Sequence, residues 1–308
     1  MPFALAIHGG AGTMRQTDIS AEQEATLLAG LGQALDAGLA VLTAGGSALD
    51  AVTVSVCALE DNPLFNAGRG AVFNAAGQVE LEAAVMDGRE RRAGSVTGVQ
   101  RVRNPVLLAR RVMEATPHVT LGFAAADAFA EQQGLPLADA SYFHTQERWD
   151  ALQSELARQR AGGTDADVSE QIKHGTVGAV ALDIHGCLAA ATSTGGRTAK
   201  MAGRIGDTPV IGAGTWADDL VAVSGTGHGE SFIRCAAAHE VASRVRYIGQ
   251  PLGDACDEIV FGQLVEIGGS GGLIAVDWEG HVAMPFNSEG MYRAAVDAWG
   301  NRSIAIYR

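Results

Sequence analysis

A glycine–threonine pair, where a polar stretch meets an apolar strand, is the point in this sequence at which residue types first suggest chemistry. The segment reads His174-Gly175-Thr176-Val177-Gly178-Ala179-Val180. Cutting the Gly175–Thr176 bond would leave Thr176 with a free α-amino group beside its own hydroxyl. Such an amine has a reference pKa of about 7.7–8.0, so an appreciable fraction is neutral near pH 7 and can take the hydroxyl proton. The cut can use the same hydroxyl. Its oxygen attacks the Gly175 carbonyl, the peptide becomes an ester, and water hydrolyses the ester. Glycine at 175 tolerates strained backbone angles and leaves the carbonyl open. Taken alone, the motif reads more commonly as a loop running into a strand, where threonine is at home.

Five further groups bear on this. Ala191-Thr192-Ser193-Thr194-Gly195-Gly196 closes the hairpin that begins at Thr176, so antiparallel pairing would bring the Thr194 hydroxyl beside Thr176. A polar strand end with a glycine turn is the plainer reading. In Gly203-Arg204-Ile205-Gly206-Asp207 the planar fork of Arg204 suits a carboxylate and Asp207 suits an ammonium, the two charges of an α-amino acid. A surface ion pair is the alternative. Ser224-Gly225-Thr226-Gly227-His228-Gly229 lies between an apolar strand and a helix, where backbone N–H groups can hold an anion or a developing oxyanion. Its spacing is not that of a dinucleotide fingerprint. Gly268-Gly269-Ser270-Gly271-Gly272 matches a nucleophile elbow in letters, but a helix precedes it and a strand follows, so Ser270 reads as part of a turn. His8, in His8-Gly9-Gly10-Ala11-Gly12, reads by itself as a core or turn residue, in a stretch able to offer backbone donors.

The elements that would position these groups follow from periodicity. Residues 3–7 read as a buried strand. Helices are expected over 20–43, opened by a Ser20/Gln23 capping box, and over 47–59, with Leu49, Val52, Val56 and Leu59 on one face. Residues 70–86 alternate as two strands around Ala76-Gly77. Asn104-Pro105 starts a helix to about 115, and another covers about 119–133. Residues 150–173 are polar, of mixed charge and glycine-containing, and read as a frayed helix or exposed linker up to the Gly–Thr bond. Strands 176–183 and 187–194 form a hairpin, a similar one recurs at 272–285, and helices near 230–247 and 252–265 lie between. Hairpins flanked by paired helices, without strict β-α alternation, imply two antiparallel sheets packed face to face and covered by helices: a four-layer αββα sandwich.

The chain has 308 residues, 47% of them hydrophobic, enough for one large core. A formal net charge of −13 disfavours nucleic acid and anionic membrane surfaces as partners, leaving small molecules or copies of itself. No apolar run approaches the ~18 residues of a membrane span, and the N-terminus lacks the basic-then-apolar pattern of a secretory signal. Cys57, Cys187, Cys235 and Cys256 form no metal-type or disulfide-framework spacing and fit a reducing, cytoplasmic setting.

In order and spacing, the chain resembles the plant-type asparaginase / isoaspartyl peptidase family of N-terminal nucleophile (Ntn) hydrolases. The likeness is carried by HGGAG (8–12), NPLFNAGRGAVF (62–73), MDG (86–88), HGTVGAVALD (174–183), ATSTGG (191–196), GRIGD (203–207), SGTGHGE (224–230), GGSGG (268–272) and PFNSEGMYRA (285–294). The resemblance implies one Ntn-hydrolase αββα domain, self-cleaved into residues 1–175 and 176–308. It implies Thr176 as nucleophile, Thr194 as its assisting hydroxyl, and Arg204 and Asp207 as holders of the substrate's α-carboxylate and α-amine. Thr226 and Gly227 would serve the amide and oxyanion, and Asn66 would support the oxyanion. No cofactor is expected for catalysis. A structural sodium ion would be held by backbone carbonyls in the stretch Leu59, Glu60, Asn62, Phe65, Ala67 and Arg69. The implied activity is hydrolysis of L-asparagine and β-aspartyl dipeptides by a homodimer of cleaved units, with glycosylasparaginase activity or non-catalytic anion binding as alternatives. Gly225 and Arg69 depart from the family pattern and bear on substrate preference.

Overall fold

The computed structural model describes residues 3–12, 14, 16–162 and 175–308. His174 and residues 163–173 of the expected linker lie outside the described residues, as do Met1, Pro2, Thr13 and Arg15.

Two sheets form the centre. The larger contains β1 (Ala4–Gly12), β2 (Leu81–Asp87), β3 (Arg92–Val99), β4 (Thr120–Gly122), β5 (Val177–Leu182), β6 (Leu188–Thr194), β11 (Gly290–Val296) and β12 (Arg302–Ala305), in the order β12-β11-β1-β5-β6-β2-β3-β4. The smaller is β10-β9-β8-β7, built from β7 (Thr215–Ala217), β8 (Val221–Gly227), β9 (Gly271–Asp277) and β10 (Val282–Ala283). Pairing is antiparallel except between β3 and β4.

Side-chain alternation along each strand decides the layering. Leu5 and Ile7 of β1 and Ala179 and Ala181 of β5 point into a core shared with α1 (Ala21–Thr43), α2 (Ala48–Asp61) and α3 (Pro105–Ala115). Their neighbours Ala4, Ala6, Val180 and Leu182 point the other way, against Ala222, Ile274 and Val276 of the smaller sheet. Val223, Leu273 and Ala275 face a third core under the helices spanning 229–266. The result is the αββα sandwich that the hairpin pattern implies. Sheets covered on both faces also explain why their strands are apolar on both faces.

The Ser20/Gln23 capping box opens α1, and Pro105 sits in the first turn of α3. With 23 residues and a mean hydropathy of 1.5, α1 does have the length and composition of a membrane span, contrary to the expectation from apolar runs. Its Leu27, Leu31, Leu35 and Leu42 nevertheless pack in the core.

The expected hairpin at 70–86 is a correction. Residues 71–80 form no strand, because their backbone pairs elsewhere: Ala199 N–H donates to Phe73 O, and Ala75 N–H to Lys200 O. β2 pairs instead with β3 on one side and β6 on the other. The span 119–133 divides into β4 and a helix over Phe123–Gln132. The first part of the expected 150–175 linker is also corrected, since a helix over Gln146–Arg160 runs through it and buries Leu152 and Glu155.

Gly94 sets how closely α3 approaches β3. A Cβ there would lie 2.1 Å from Ala109 O and 2.7 Å from Met113 N. Gly94→Ala is therefore expected to lower stability by about 1–3 kcal/mol, the usual cost of overpacking. A thermal melt checks this, and an unchanged midpoint would show that α3 can yield.

Candidate active site

Register brings the two threonines together. Val177 pairs with Ser193, so the next pair outward is Thr176 with Thr194. Thr176 Oγ1 donates to Thr194 Oγ1 at 3.1 Å, and Thr194 Oγ1 accepts the Gly196 N–H at 2.9 Å. Both side chains are buried. Gly175 passes between Gly10 and Asn66. A Cβ on Gly175 would lie 2.8 Å from Asn66 Cβ, and one on Gly10, at φ +120°, would lie 2.8 Å from Gly175 Cα. Only glycine fits at either position. Asn66 donates from Nδ2 to Gly196 O at 2.7 Å and accepts the Val72 N–H at 2.9 Å. An amide nitrogen carries two hydrogens, so Nδ2 can donate once more.

Gly175, Thr176, Thr194, Gly196, Arg197, Arg204, Asp207 and Gly227 line one cleft. With Gly175 in place, its free space is about 10 Å³, room for about one water. Arg204 gives Nε and Nη2 to the two carboxylate oxygens of Glu230, each at 3.0 Å. Burial alone would push the Glu230 carboxyl up, but the Arg204 fork outweighs it and holds the pKa at about 2. Asp207 is the reverse case. Burial pushes its carboxyl up to about 7 despite the charge of Arg204, and Oδ2 has no hydrogen-bond partner. A buried, unsatisfied carboxylate oxygen in a cleft suits an incoming ammonium.

The loop carrying Arg204 and Asp207 is held from β2 and the residues before it. Glu80 accepts the Gly203 N–H with both oxygens at 3.0 and 3.1 Å, and Glu82 accepts the Gly206 N–H at 3.2 and 3.1 Å. Burial pushes the Glu82 carboxyl up and the Lys200 ammonium down. Lys200 Nζ donates to Glu80 O at 2.7 Å. Sequence reading missed these supports, and it missed Arg197 and Glu230. Acidic residues in and just before an apolar strand, at Glu82 and Glu80, were the available signal.

Of the residues singled out from sequence, Gly175, Thr176, Thr194, Arg204, Asp207 and Gly227 share the cleft, and Asn66 stands against Gly175. The Thr226 side chain is fully buried beside it, and its hydroxyl accepts the Ala11 N–H at 3.2 Å. Ser224 to Gly227 belong to β8, paired with β9, and His228 N–H donates to Ser270 O. Gly225 N–H donates to Gly214 O, while Gly227, the last residue of β8, lines the cleft. Ser270 lies outside the cleft lining.

The stretch expected to hold sodium was tested against its own geometry. Leu59 and Glu60 lie in the last turn of α2, where the helix dipole favours a cation, and Leu59 O accepts the Asn62 N–H at 3.3 Å. Gly68 and Gly70 allow the chain to fold back on itself. A Cβ at Gly68 would lie 2.5 Å from Glu60 O, and one at Gly70 would lie 2.2 Å from Phe65 O and 2.5 Å from Pro63 O. Oxygen ligands converging in a tight loop fit a hard cation. Arg148 reinforces the loop by donating to Gly70 O at 3.0 Å and Leu64 O at 3.3 Å. Arg69 is exposed, with its guanidinium over the Tyr142 ring at 5.7 Å from the centroid.

Comparison with known proteins agrees in extent. The family model described as asparaginase matches residues 1–306. The chain is 50% identical over 310 residues to an isoaspartyl peptidase of Salmonella typhimurium, covering 99% of this chain and 98% of that protein. It is 41% identical over 295 residues to an isoaspartyl peptidase/L-asparaginase of Homo sapiens, covering 96% and 92%. It is 39% identical over 327 residues to a probable isoaspartyl peptidase/L-asparaginase 2 of Arabidopsis thaliana, covering 99% of each.

Proposed function

The chain belongs to the asparaginase family, and from that premise we propose how its residues perform the reaction. It is a hydrolase of L-asparagine and isoaspartyl peptides, releasing aspartate with ammonia or an amino acid. The precursor cuts itself at Gly175–Thr176 into residues 1–175 and 176–308. Arg204 then clamps the substrate's α-carboxylate and Asp207 its α-ammonium. The Thr176 hydroxyl attacks the side-chain amide carbonyl, with its own freed amine taking the proton and Thr194 holding the hydroxyl in line. Thr226, Gly227 and Asn66 meet the developing oxyanion. Water attacks the resulting ester and frees aspartate. The observation carrying this reading is the 3.1 Å contact of Thr176 with Thr194 in one cleft with Gly175, Arg204 and Asp207.

We propose that backbone carbonyls in the stretch from Leu59 to Arg69 hold a structural sodium ion that steadies the Asn66 loop. Exposed Tyr247, Ile248, Phe261 and Val265 support pairing of two cleaved units. Four cysteines, all free thiols, support a cytoplasmic setting.

The direct test is aspartate release by the matured protein from L-asparagine and from β-aspartyl-leucine. Activity on neither would sink the reading. Its pH dependence is also specified. Asp207 must be ionised to hold an ammonium, so kcat/KM falls as pH drops below about 7. Neutralisation of the Thr176 amine runs in the same direction, so two groups shape the acid limb. Asp207→Asn is expected to leave one. The linkage sign agrees. With the folded pKa raised from 3.8, the empty site favours folding most below about 4, loses that contribution as pH rises to about 7, and regains it when an ammonium binds. An unchanged acid limb in Asp207→Asn would remove Asp207 from substrate binding.

A further inference from the structure

We propose that His8 is a positioning residue for the nucleophile, held in one tautomer by a buried line of hydroxyls from Ser224, Thr192 and Thr215. The inference takes Thr176 as the nucleophile and rests on the reading above.

His8 Nδ1 lies 2.9 Å from Thr176 O. A carbonyl only accepts, so Nδ1 carries the hydrogen and Nε2 bears the lone pair. Nε2 lies 2.8 Å from Ser224 Oγ, which must therefore donate. Having given its hydrogen to the ring, Ser224 Oγ accepts from Thr192 Oγ1 at 2.8 Å, and Thr192 Oγ1 accepts from Thr215 Oγ1 at 2.7 Å. The hydrogens thus all run one way, toward the nucleophile's carbonyl. All four side chains are fully buried, and burial drives the imidazole pKa down to about 3, so the ring is neutral at working pH. A neutral ring with its hydrogen on Nε2 would turn a lone pair toward Thr176 O.

The surroundings are fitted to this line. A Cβ on Gly178 of β5 would lie 2.0 Å from Ser224 Oγ and 2.4 Å from His8 Nε2. The strand that begins at the nucleophile therefore leaves a gap for the His8–Ser224 bond. The line crosses from the larger sheet to the smaller, beside an apolar core of aliphatic residues, Met86, Met291 and Phe286. Polar groups in such a place are costly unless fully paired, and here they are paired. At its far end Thr215, whose one hydroxyl hydrogen goes to Thr192 Oγ1, packs with its Oγ1 3.1 Å from Thr208 O and follows Gly214 in the chain. Thr208 follows Asp207, and Gly214 N–H donates to Asp207 O at 3.1 Å. The line therefore ties the nucleophile to the loop that meets the substrate's ammonium.

The need arises at cleavage. Once Gly175 is released, Thr176 is a chain end, and chain ends are poorly ordered unless tied down. The His8 bond fixes the peptide plane between Thr176 and Val177, and through it the direction of the amine and Oγ1.

The test compares Ser224→Ala, Thr192→Val, His8→Leu and His8→Asn with wild type. Intact mass gives the matured fraction, a melt gives stability, and kcat and KM are taken per matured chain. Ser224→Ala is expected to lower kcat about tenfold with KM within about twofold, by analogy with other groups that orient a first-line residue. His8→Leu should lose more, and His8→Asn should recover part of that loss, because its amide N–H can still reach Thr176 O. A purely structural role would lower the melting point and yield while kcat per matured chain stayed at the wild-type value, and that result overturns the proposal. If His8→Leu does not fold, Ser224→Ala decides, since the ring remains. An uncut Ser224→Ala that melts within a few degrees of wild type supports the proposal, because attack on Gly175 uses the same hydroxyl. An uncut variant without a cooperative melt counts against it. Activity surviving in Thr176→Ala would fail the nucleophile reading itself, whatever these variants show.

Discussion

Thr176→Ala is expected to remain one 308-residue chain after prolonged incubation, while the wild type separates by mass into two pieces meeting at Gly175–Thr176. The same substitution should abolish asparagine and β-aspartyl peptide hydrolysis, by roughly 10⁶-fold if it behaves like nucleophile removal in other acyl-transfer enzymes. Both losses have one cause, since the hydroxyl within 3.1 Å of Thr194 serves first against Gly175 and then against substrate. Thr176→Ser keeps the hydroxyl and should retain some of both activities. Cleavage of the alanine variant at the same bond would show that another group attacks. An active wild type that never cuts would show that the freed amine is not the base.

The second large effect is expected at Arg204. Its fork is already bidentate to Glu230, so it presents a fixed plane from which its remaining N–H groups face the cleft. A charge-assisted hydrogen bond is worth about 1.5–3 kcal/mol, and each 1.4 kcal/mol is tenfold in affinity. Arg204→Lys keeps one charge but loses the fork, and it leaves Glu230 without its paired donors. KM for L-asparagine should rise about 10- to 100-fold with a smaller change in kcat, the signature of lost ground-state binding. Steady-state kinetics on the matured variant decide this. A KM within threefold of wild type would move carboxylate recognition elsewhere, with Arg197 the next residue in the cleft to examine.

What could be read from sequence was local. Ser20 and Gln23 are three residues apart and cap each other, so the start of α1 was legible. So was the hairpin that aligns Thr176 with Thr194, because both strands and their turn lie within twenty residues. The strand reading of 70–86 failed because local alternation was real while the backbone bonds of Phe73 and Ala75 went to residues 199 and 200. The strand β3 was overlooked because Arg92–Val99 mixes small and polar residues, and its burial comes from α3 packing on Gly94. In the site, Thr176, Arg204 and Asp207 could be suspected from type and spacing. Glu230 could not be matched to Arg204, because the pairing spans 26 residues and depends on where a helix begins. His8 is the extreme case. Its partners lie 168 and 216 residues away, and no period or motif in the chain connects them.

The strand order of the larger sheet has a consequence for the cut protein. From one edge, β12 and β11 come from the piece after Gly175, β1 from the piece before it, β5 and β6 from the piece after, and β2, β3 and β4 from the piece before. The two pieces are interleaved, so neither can leave without breaking the ladder on both sides of β1. The precursor folds as one molecule, but a matured protein that has been unfolded must reassemble from two. Its recovery then depends on concentration, as any association does, and slows on dilution. The proposed self-cleavage would therefore make the working enzyme a species whose lifetime is set by the height of its unfolding barrier, reached by a folding route that its own first reaction has closed.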